Sequence, residues 1–404
     1  MSNLIRQEHH RLIHTHVIGW VVAVTALLAV IALTLFCARE TLEDLKLQAA
    51  WPAYHHILEN LHLPASWWRW VLGDISEVAF YKHEFASIGL IAGAGLAYWA
   101  GQNGKAWGGF PICYGTGLWP WLFLSSLMGL LLSNLLWGWT LFAREWQPTF
   151  VAFVSLPAAM VLLFGGGWKV AMTGAVMGAV LVTPAALVIV DYLCKPLALP
   201  MVVGNVLGMA SASVVAFLLC RRWPQLVTVS QPTLPVRKPV QPVEQSQHGA
   251  LWTVRRILAD FSEAPFFGNE LASLGLLLGA GLAFAVNPES PAYGSGLLPE
   301  LITAQLLAAS TGVLVWRKQW ITRGWYPTYI PLVSVVPAAV LIHGAGIGVM
   351  LVSAVLGALI APPLATAMAA RLPQDVHPYV ANVLSMAIST LLIVPVAGMV
   401  AGLG

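Results

Sequence analysis

The feature that most constrains this chain is an internal repeat. Residues 74–98 read DISEVAFYKHEFASIGLIAGAGLAY and residues 260–284 read DFSEAPFFGNELASLGLLLGAGLAF, with 14 of 25 ungapped positions identical. YGTGLWP at 114–120 returns as YGSGLLP at 293–299, WQPTF at 146–150 as WYPTY at 325–329, and PMVVGNVLGMA at 200–210 as PYVANVLSMA at 378–387. Matches this numerous and in the same order mark a duplicated structural unit, which sets the architecture. Each copy carries five long apolar segments. In the first they are 84–101, 119–140, 148–165, 169–191 and 199–220; in the second, 270–286, 298–316, 327–343, 346–369 and 378–401.

The solvent of these segments follows from composition. The 404 residues are 58% hydrophobic and 9% charged, against roughly 25% charged in soluble domains. So few charges cannot cover a water-facing surface, which excludes a soluble enzyme, and disorder needs the opposite composition. The apolar runs are too long and unbroken for barrel strands. The expected fold class is therefore an all-α polytopic membrane protein. The run 17–37 is long enough to span and lacks a following cleavage site, so it is read as a retained helix. That makes about 11 transmembrane helices, one N-terminal helix plus two repeats of five.

Five is odd, so the second copy enters the membrane from the side opposite to the first, an inverted-topology repeat. Basic side chains test that layout. With the N-terminus cytoplasmic and the C-terminus exterior, 14 of the 20 Lys and Arg residues fall inside. The outside six are Arg39, Lys46, Arg69, Lys82, Arg144 and Lys195. The loops WRKQWITR and RRW both land inside, as the positive-inside rule requires. The expected organisation is a tail and first helix (1–37), an exterior amphipathic segment (38–83), repeat 1 (84–220), a cytoplasmic Pro/Gln-rich linker (221–256) and repeat 2 (257–404). Cys37, Cys113, Cys194 and Cys220 form no metal-binding pattern; Cys37 and Cys194 share the exterior side in this layout.

Three groups of residues carry candidate chemistry. Tyr114, Gly115, Thr116 and Gly117, with Tyr293, Gly294, Ser295 and Gly296, sit at glycine-interrupted helix starts in matching positions, the sequence pointer to a transporter's substrate site. A half-helix N-terminus there favours an anionic group; the competing reading is a tight interfacial turn. Asn205 and Asn382 place amides inside spanning helices, as ligands or interhelical bonds. Glu77, Glu84, Glu263 and Glu270 recur in both copies and are the candidate ion-coupling carboxylates. Asp74 and Asp260 fit helix caps. His55, Glu59 and His62 read as a solvated face rather than a metal site.

No nucleophile–base, metalloprotease or nucleotide-binding constellation is present, so neither catalysis nor a cofactor is expected. The leading expectation is a secondary transporter, a symporter of the bacterial inner membrane, moving a small polar or anionic solute by alternating access coupled to H+ or Na+. Its partners are that solute, the coupling ion and the bilayer, without nucleic acid; a homo-oligomer is compatible. FFGNELASLGL resembles the opening of urea-channel halves, while LLPELIT at 297–303 departs from that family's Leu-Pro-x-x-Thr signature. The resemblance implies a passive channel for a small polar solute, the alternative reading. A non-catalytic membrane subunit, docked through 38–83, is the third.

Overall fold

The computed structural model describes residues 51–227 and 249–402. The expected first helix with Cys37, residues 38–50 and most of the linker lie outside the described residues. Copy 1 is preceded by α1 (Tyr54–Glu59) and α2 (Pro64–Ser76). It continues through α3 (Glu84–Gln102), α4 (Trp119–Trp137), α5 (Leu156–Phe164), α6 (Trp168–Cys194) and α7 (Met201–Arg222). Copy 2 runs α8 (Ala250–Ala259), α9 (Glu270–Val286), α10 (Leu298–Val315), α11 (Arg317–Arg323), α12 (Val335–His343), α13 (Ile347–Ala369) and α14 (Tyr379–Ala401). No strand occurs among the described residues.

Six described helices are long and apolar enough to cross a membrane: Trp119–Ala143, α6, α7, α10, α13 and α14. They carry large side chains pointing outward, among them Leu135, Trp139, Tyr192, Ile347 and Met399. In water such a surface would be a liability; against lipid it is the expected one. The chain is an α-helical membrane protein.

The copies join through α3 and α9. A Cβ on Gly89 would run into the carbonyl of Gly275, one on Gly93 into Leu271, and one on Gly279 into Phe85. Contact positions fall along α9 as they rise along α3, so the two helices cross antiparallel. Two small-xxx-small stripes face each other and the backbones touch, the close approach that membrane helices use where lipid supplies no hydrophobic drive.

Segments 148–165 and 327–343, expected as spanning helices, are interrupted. Thr149–Ala152 and Pro331–Val333 are 3-10 turns, Ser155 and Ser334 stand at the breaks, and α5 and α12 follow with nine residues each. Nine residues rise about 13.5 Å, under half of a hydrocarbon core of roughly 30 Å. Ser155 Oγ donates to the Val151 carbonyl (2.5 Å) and Ser334 Oγ to that of Ile330 (2.7 Å), so each break satisfies itself. Pro157 and Pro337 lie in the first turns of α5 and α12, where no N–H is needed. In α13, Pro362 leaves the Ala358 carbonyl without its helical donor, and the Trp316 indole supplies one at 2.8 Å. Trp137 does the same for Ala179 beside the π-turn Gly178–Val182 of α6.

Two sequence expectations change here. Residues 64–76, read as part of the exterior amphipathic segment, form α2, whose C-terminal half is buried: Trp70, Gly73, Asp74, Ile75 and Ser76 are covered. Residues 250–256, read as linker, begin α8, the counterpart of α2. Lys82 and Arg256, counted above as loop charges, are both 5% exposed. Removing one from each side leaves the basic loop charges divided 13 to 5.

The glycine crossing gives a direct test. Gly89→Ala should lower unfolding stability in detergent by about 3 kcal/mol or more, beyond ordinary overpacking, because the obstacle is backbone. Gly281→Ala, with open space around its Cβ, should change it by less than about 0.5 kcal/mol. Equal effects in a thermal-shift assay would contradict the packing.

Candidate functional site

The same local device ends α2 and α8. Ser76 Oγ takes the N–H of His83 (3.0 Å) and donates to its carbonyl (2.9 Å), closing residues 77–83 into a tight turn. Ser262 does this with Asn269 at the same two distances. His83 Nδ1 and Asn269 Oδ1 then accept from the first free N–H groups of α3 and α9. The caps are therefore His83 and Asn269, not Asp74 and Asp260, which remain free for another partner. Phe80 (φ 66°) and Phe266 (φ 64°) stand in the left-handed region within these turns. A bulky residue pays strain there, and such positions cluster at functional sites.

Each turn gathers charge in the interior. In copy 1, Lys82 pairs with Asp74 and with Glu77 (2.6 Å), and all three are buried. Asp74 Oδ2 accepts from Thr149 Oγ1 and Asn134 Nδ2, both at 2.8 Å. Thr149 in turn accepts from the Trp70 indole (3.0 Å), and the Lys82 ammonium lies 3.6 Å from that ring centroid. In copy 2, Arg256 pairs with Asp260 (2.9 Å) and Glu263 (2.7 Å). Asp260 accepts from Thr328 (2.7 Å), which accepts from the Trp320 indole (3.1 Å). Arg256 lies 4.4 Å from the Trp320 ring centroid.

The two clusters are chemically alike but are built from different positions. Lys82 aligns with Gly268, Trp70 with Arg256, and Leu141 with Trp320. The cation of copy 2 stands where copy 1 has its indole, and the indole comes from a third position, yet carboxylate pair, cation, ring and threonine bond all persist. Fully ionised, each cluster sums to −1. Charge left over in a buried site of a membrane protein marks a functional centre by default.

Each cluster also receives a tyrosine from the other copy. Cys113 N–H bonds the Phe267 carbonyl (3.1 Å), and Ala292 N–H bonds the Tyr81 carbonyl (2.8 Å). These bonds fix the YGTG and YGSG turns across the copy boundary. Tyr293 then donates to Glu77 Oε1 (3.2 Å), and the Tyr114 hydroxyl lies close to Glu263. Trp146 and Trp325 donate their indole N–H to the same two glutamates. Tyr114 is 44% exposed, whereas Tyr293 is covered by Tyr54 at 5.8 Å between ring centroids.

Between the copies lies a cavity of about 40 Å³. At roughly 10–15 Å³ per water, it admits about three water-sized bodies. Its wall draws matched residues from both copies: Phe80 and Phe266, Phe150 and Tyr329, Val206 and Val383, Met209 and Met386. Asn205, Tyr329 and Tyr379 are its polar lining residues, and Glu77 lies at the wall with its side chain fully covered. Asn382 sits behind the wall and donates to Tyr329 (3.1 Å). His377, in the loop between α13 and α14, packs its ring 6.0 Å from Phe266, and burial pushes its imidazole down to about 4, which keeps it neutral.

The sequence candidates therefore separate. Glu77 and Asn205 are among the residues around the cavity, Asn382 meets its wall through Tyr329, and Glu263 precedes the wall residue Ala264 without lining it. Glu84 and Glu270 lie apart from it, each paired with an arginine, Arg69 (2.8 Å) and Arg255 (2.6 Å). Gly115, Thr116, Gly117, Gly294, Ser295 and Gly296 do not line it; their glycines take positive φ, and Thr116 and Ser295 hydroxyls accept from Leu118 and Leu297 within the turn. From those motifs only Tyr114 and Tyr293 reach the carboxylates. Sequence reading did not assign Lys82, Arg256, Trp146, Trp325, Thr149 or Thr328 to the site. Recurrence in both copies could have found the tryptophans and threonines; the displaced cations leave no such trace.

No protein-family model matches the chain, and no curated protein matches it either.

The displaced cation is testable. Lys82→Met should cost about 3–5 kcal/mol, the usual effect of stranding a buried charge. The combined variant Trp70→Arg, Leu141→Trp, Lys82→Gly copies the second arrangement into the first and should recover most of that loss in thermal unfolding. A triple variant no more stable than Lys82→Met would show that the two clusters are not equivalent.

Proposed function

We propose that the protein is a secondary transporter for a small polar solute, with the two copies inverted across the membrane and the cavity between them as the binding space. The observation that carries this reading is the pair of matching charge clusters, each formally −1, set against one small cavity walled by both copies. Three observations support the inversion: an odd number of apolar segments per copy, the antiparallel crossing of α3 and α9, and basic loop charges that sort to one side. The elements at 149–164 and 331–343 are each broken into a 3-10 turn and a short helix, as the discontinuous helices of transporters are, and each pair counts as one crossing. On this reading the N-terminal run 17–37 completes 11 spans, and the cytoplasmic face holds the N-terminus and the linker.

Glu77 and Glu263 are the coupling groups. Each meets a tyrosine hydroxyl across the copy boundary, so protonation or ion binding at the carboxylate alters a contact between the copies. That is the differential contact an alternating-access transition requires. Glu84 and Glu270, held by arginines nearer the surface, anchor the starts of α3 and α9.

Proteoliposomes containing the full chain test this. Substrate should accumulate above its external level when a proton or sodium gradient is imposed. Glu77→Gln and Glu263→Gln should abolish accumulation while leaving downhill flux within about tenfold. Flux that never exceeds equilibrium in the unaltered protein would establish a passive channel instead, and no flux of any solute would favour a subunit of a larger complex.

A further inference from the structure

The two charge clusters are built alike but are not equally covered. Tyr114, Gly115, Thr116 and Gly117 are all exposed, whereas in the equivalent turn, Tyr293 to Gly296, only Ser295 is. The rings beside the tyrosines do not explain this. Trp146 stands edge-on to Tyr293 at 6.5 Å between centroids, and Trp325 to Tyr114 at 6.4 Å. The difference comes from residues 51–61, which precede α2. Tyr54 is 5% exposed and lies edge-on over Tyr293. With Leu58, Leu61, Trp70 and Leu141 it forms a small apolar cluster against which Trp146 and Tyr293 pack. Both aromatic donors to Glu77 therefore lie beneath this strap.

The strap is hung on copy 2. Asn287 Nδ2 donates to the Trp51 carbonyl (2.8 Å), Ser290 Oγ to that of Pro52 (3.0 Å), and the Glu289 carbonyl accepts the Tyr54 N–H (3.0 Å). At its start the Trp51 indole donates to Glu84 (2.8 Å) with the Arg69 guanidinium 4.1 Å from its ring. The other face has a counterpart for that start alone. Phe110 N–H donates to Glu270 (2.6 Å), with the Arg255 guanidinium 4.8 Å from its ring. The chain then runs directly into Tyr114, and no described residue lies over that ring as Tyr54 lies over Tyr293.

The strap is also built to come away. Its helix α1 has six residues, too few to persist without packing. The Tyr54 hydroxyl is buried without a partner among the described residues, an arrangement that weakens the seated state. His55, His56 and Glu59 already face outward.

We infer that residues 51–61 are the exterior gate of the transport path. Seated, as here, Tyr54 seals the copy 1 cluster from outside, while the copy 2 cluster is reached from the cytoplasmic side past Tyr114. Lifting the strap opens the exterior route to Glu77, the role that closing segments play in other proteins. This rests on the transporter reading and names the part that closes one side of it.

The test places single added cysteines in the full chain in sealed proteoliposomes. A membrane-impermeant maleimide is applied from either side, and peptide mass spectrometry counts the native cysteines apart. Tyr293→Cys is read as a ratio to Ser295→Cys, and Tyr114→Cys as a ratio to Thr116→Cys, the reference positions being exposed in the same turns. Tyr293→Cys should react at least about tenfold more slowly than its reference, and Tyr114→Cys at a similar rate to its own. Tyr54→Ala should remove most of that protection, and Tyr54→Phe, which keeps the ring, should not. Asn287→Ala with Ser290→Ala cuts two tethers and leaves the apolar cluster intact; it should raise the Tyr293→Cys ratio as well, whether or not Tyr54→Ala folds. Replacing potassium by sodium at fixed pH, or moving from pH 8 to pH 6, should shift the two ratios in opposite directions in at least one case. A Tyr293→Cys ratio near one in the intact strap, or unchanged in both strap variants, would overturn the seal. Ratios that stay fixed under every ionic condition would show a static cover and overturn the gate. Ser295→Cys and Thr116→Cys reacting from the same side would overturn the inverted layout and the transporter reading, independently of what the strap covers.

Discussion

Everything in this structure is arranged around the cost of keeping carboxylates inside an apolar protein. Asp74 and Glu77 cannot be buried without Lys82, nor Asp260 and Glu263 without Arg256. Pairing alone does not suffice, because one cation faces two carboxylates in each cluster. The remaining lone pairs are taken by threonine, tryptophan and tyrosine donors, and these come from elements distant in sequence. The cluster in each copy thus draws together the turn after α2 or α8, the tryptophan–proline–threonine segment and the tyrosine turn of the opposite copy. Removing the charges would remove the reason for those elements to converge.

The same demand explains where the helices break. A continuous spanning helix through 149–164 would use the backbone and side chain of Thr149 within its own ladder. Interruption at Ser155 frees Thr149 to bond Asp74 and turns the short α5 against α4 and α6. Copy 2 repeats the solution at Thr328 and Ser334. The glycine faces of α3 and α9 then bring the two turns close enough for Tyr293 and Tyr114 to reach across. Packing, helix interruption and charge pairing are one arrangement seen at three scales.

Much of this was legible in the chain itself. The duplication, the helix starts at Glu84 and Glu270, and the recurrence of Glu77 with Glu263 all follow from identical letters in two places. The membrane class follows from scarcity of charge. What was hidden has physical reasons. Lys82 and Arg256 look like loop charges because burial depends on partners that a sequence does not place. Asp74 and Asp260 look like caps because cap and ion pair use the same residue type. Proline in a first turn and proline at a kink are indistinguishable until the break beside it is seen.

The central claim is that the two copies face opposite sides of the membrane around a shared cavity. Lys105 follows α3 and Glu289 follows α9, both exposed and in corresponding loops. Single cysteines at these positions, introduced as Lys105→Cys and Glu289→Cys, can be probed in sealed vesicles with a membrane-impermeant thiol reagent. The account expects one to react only from the outside and the other only after the membrane is opened. Labelling of both from the same side would contradict it.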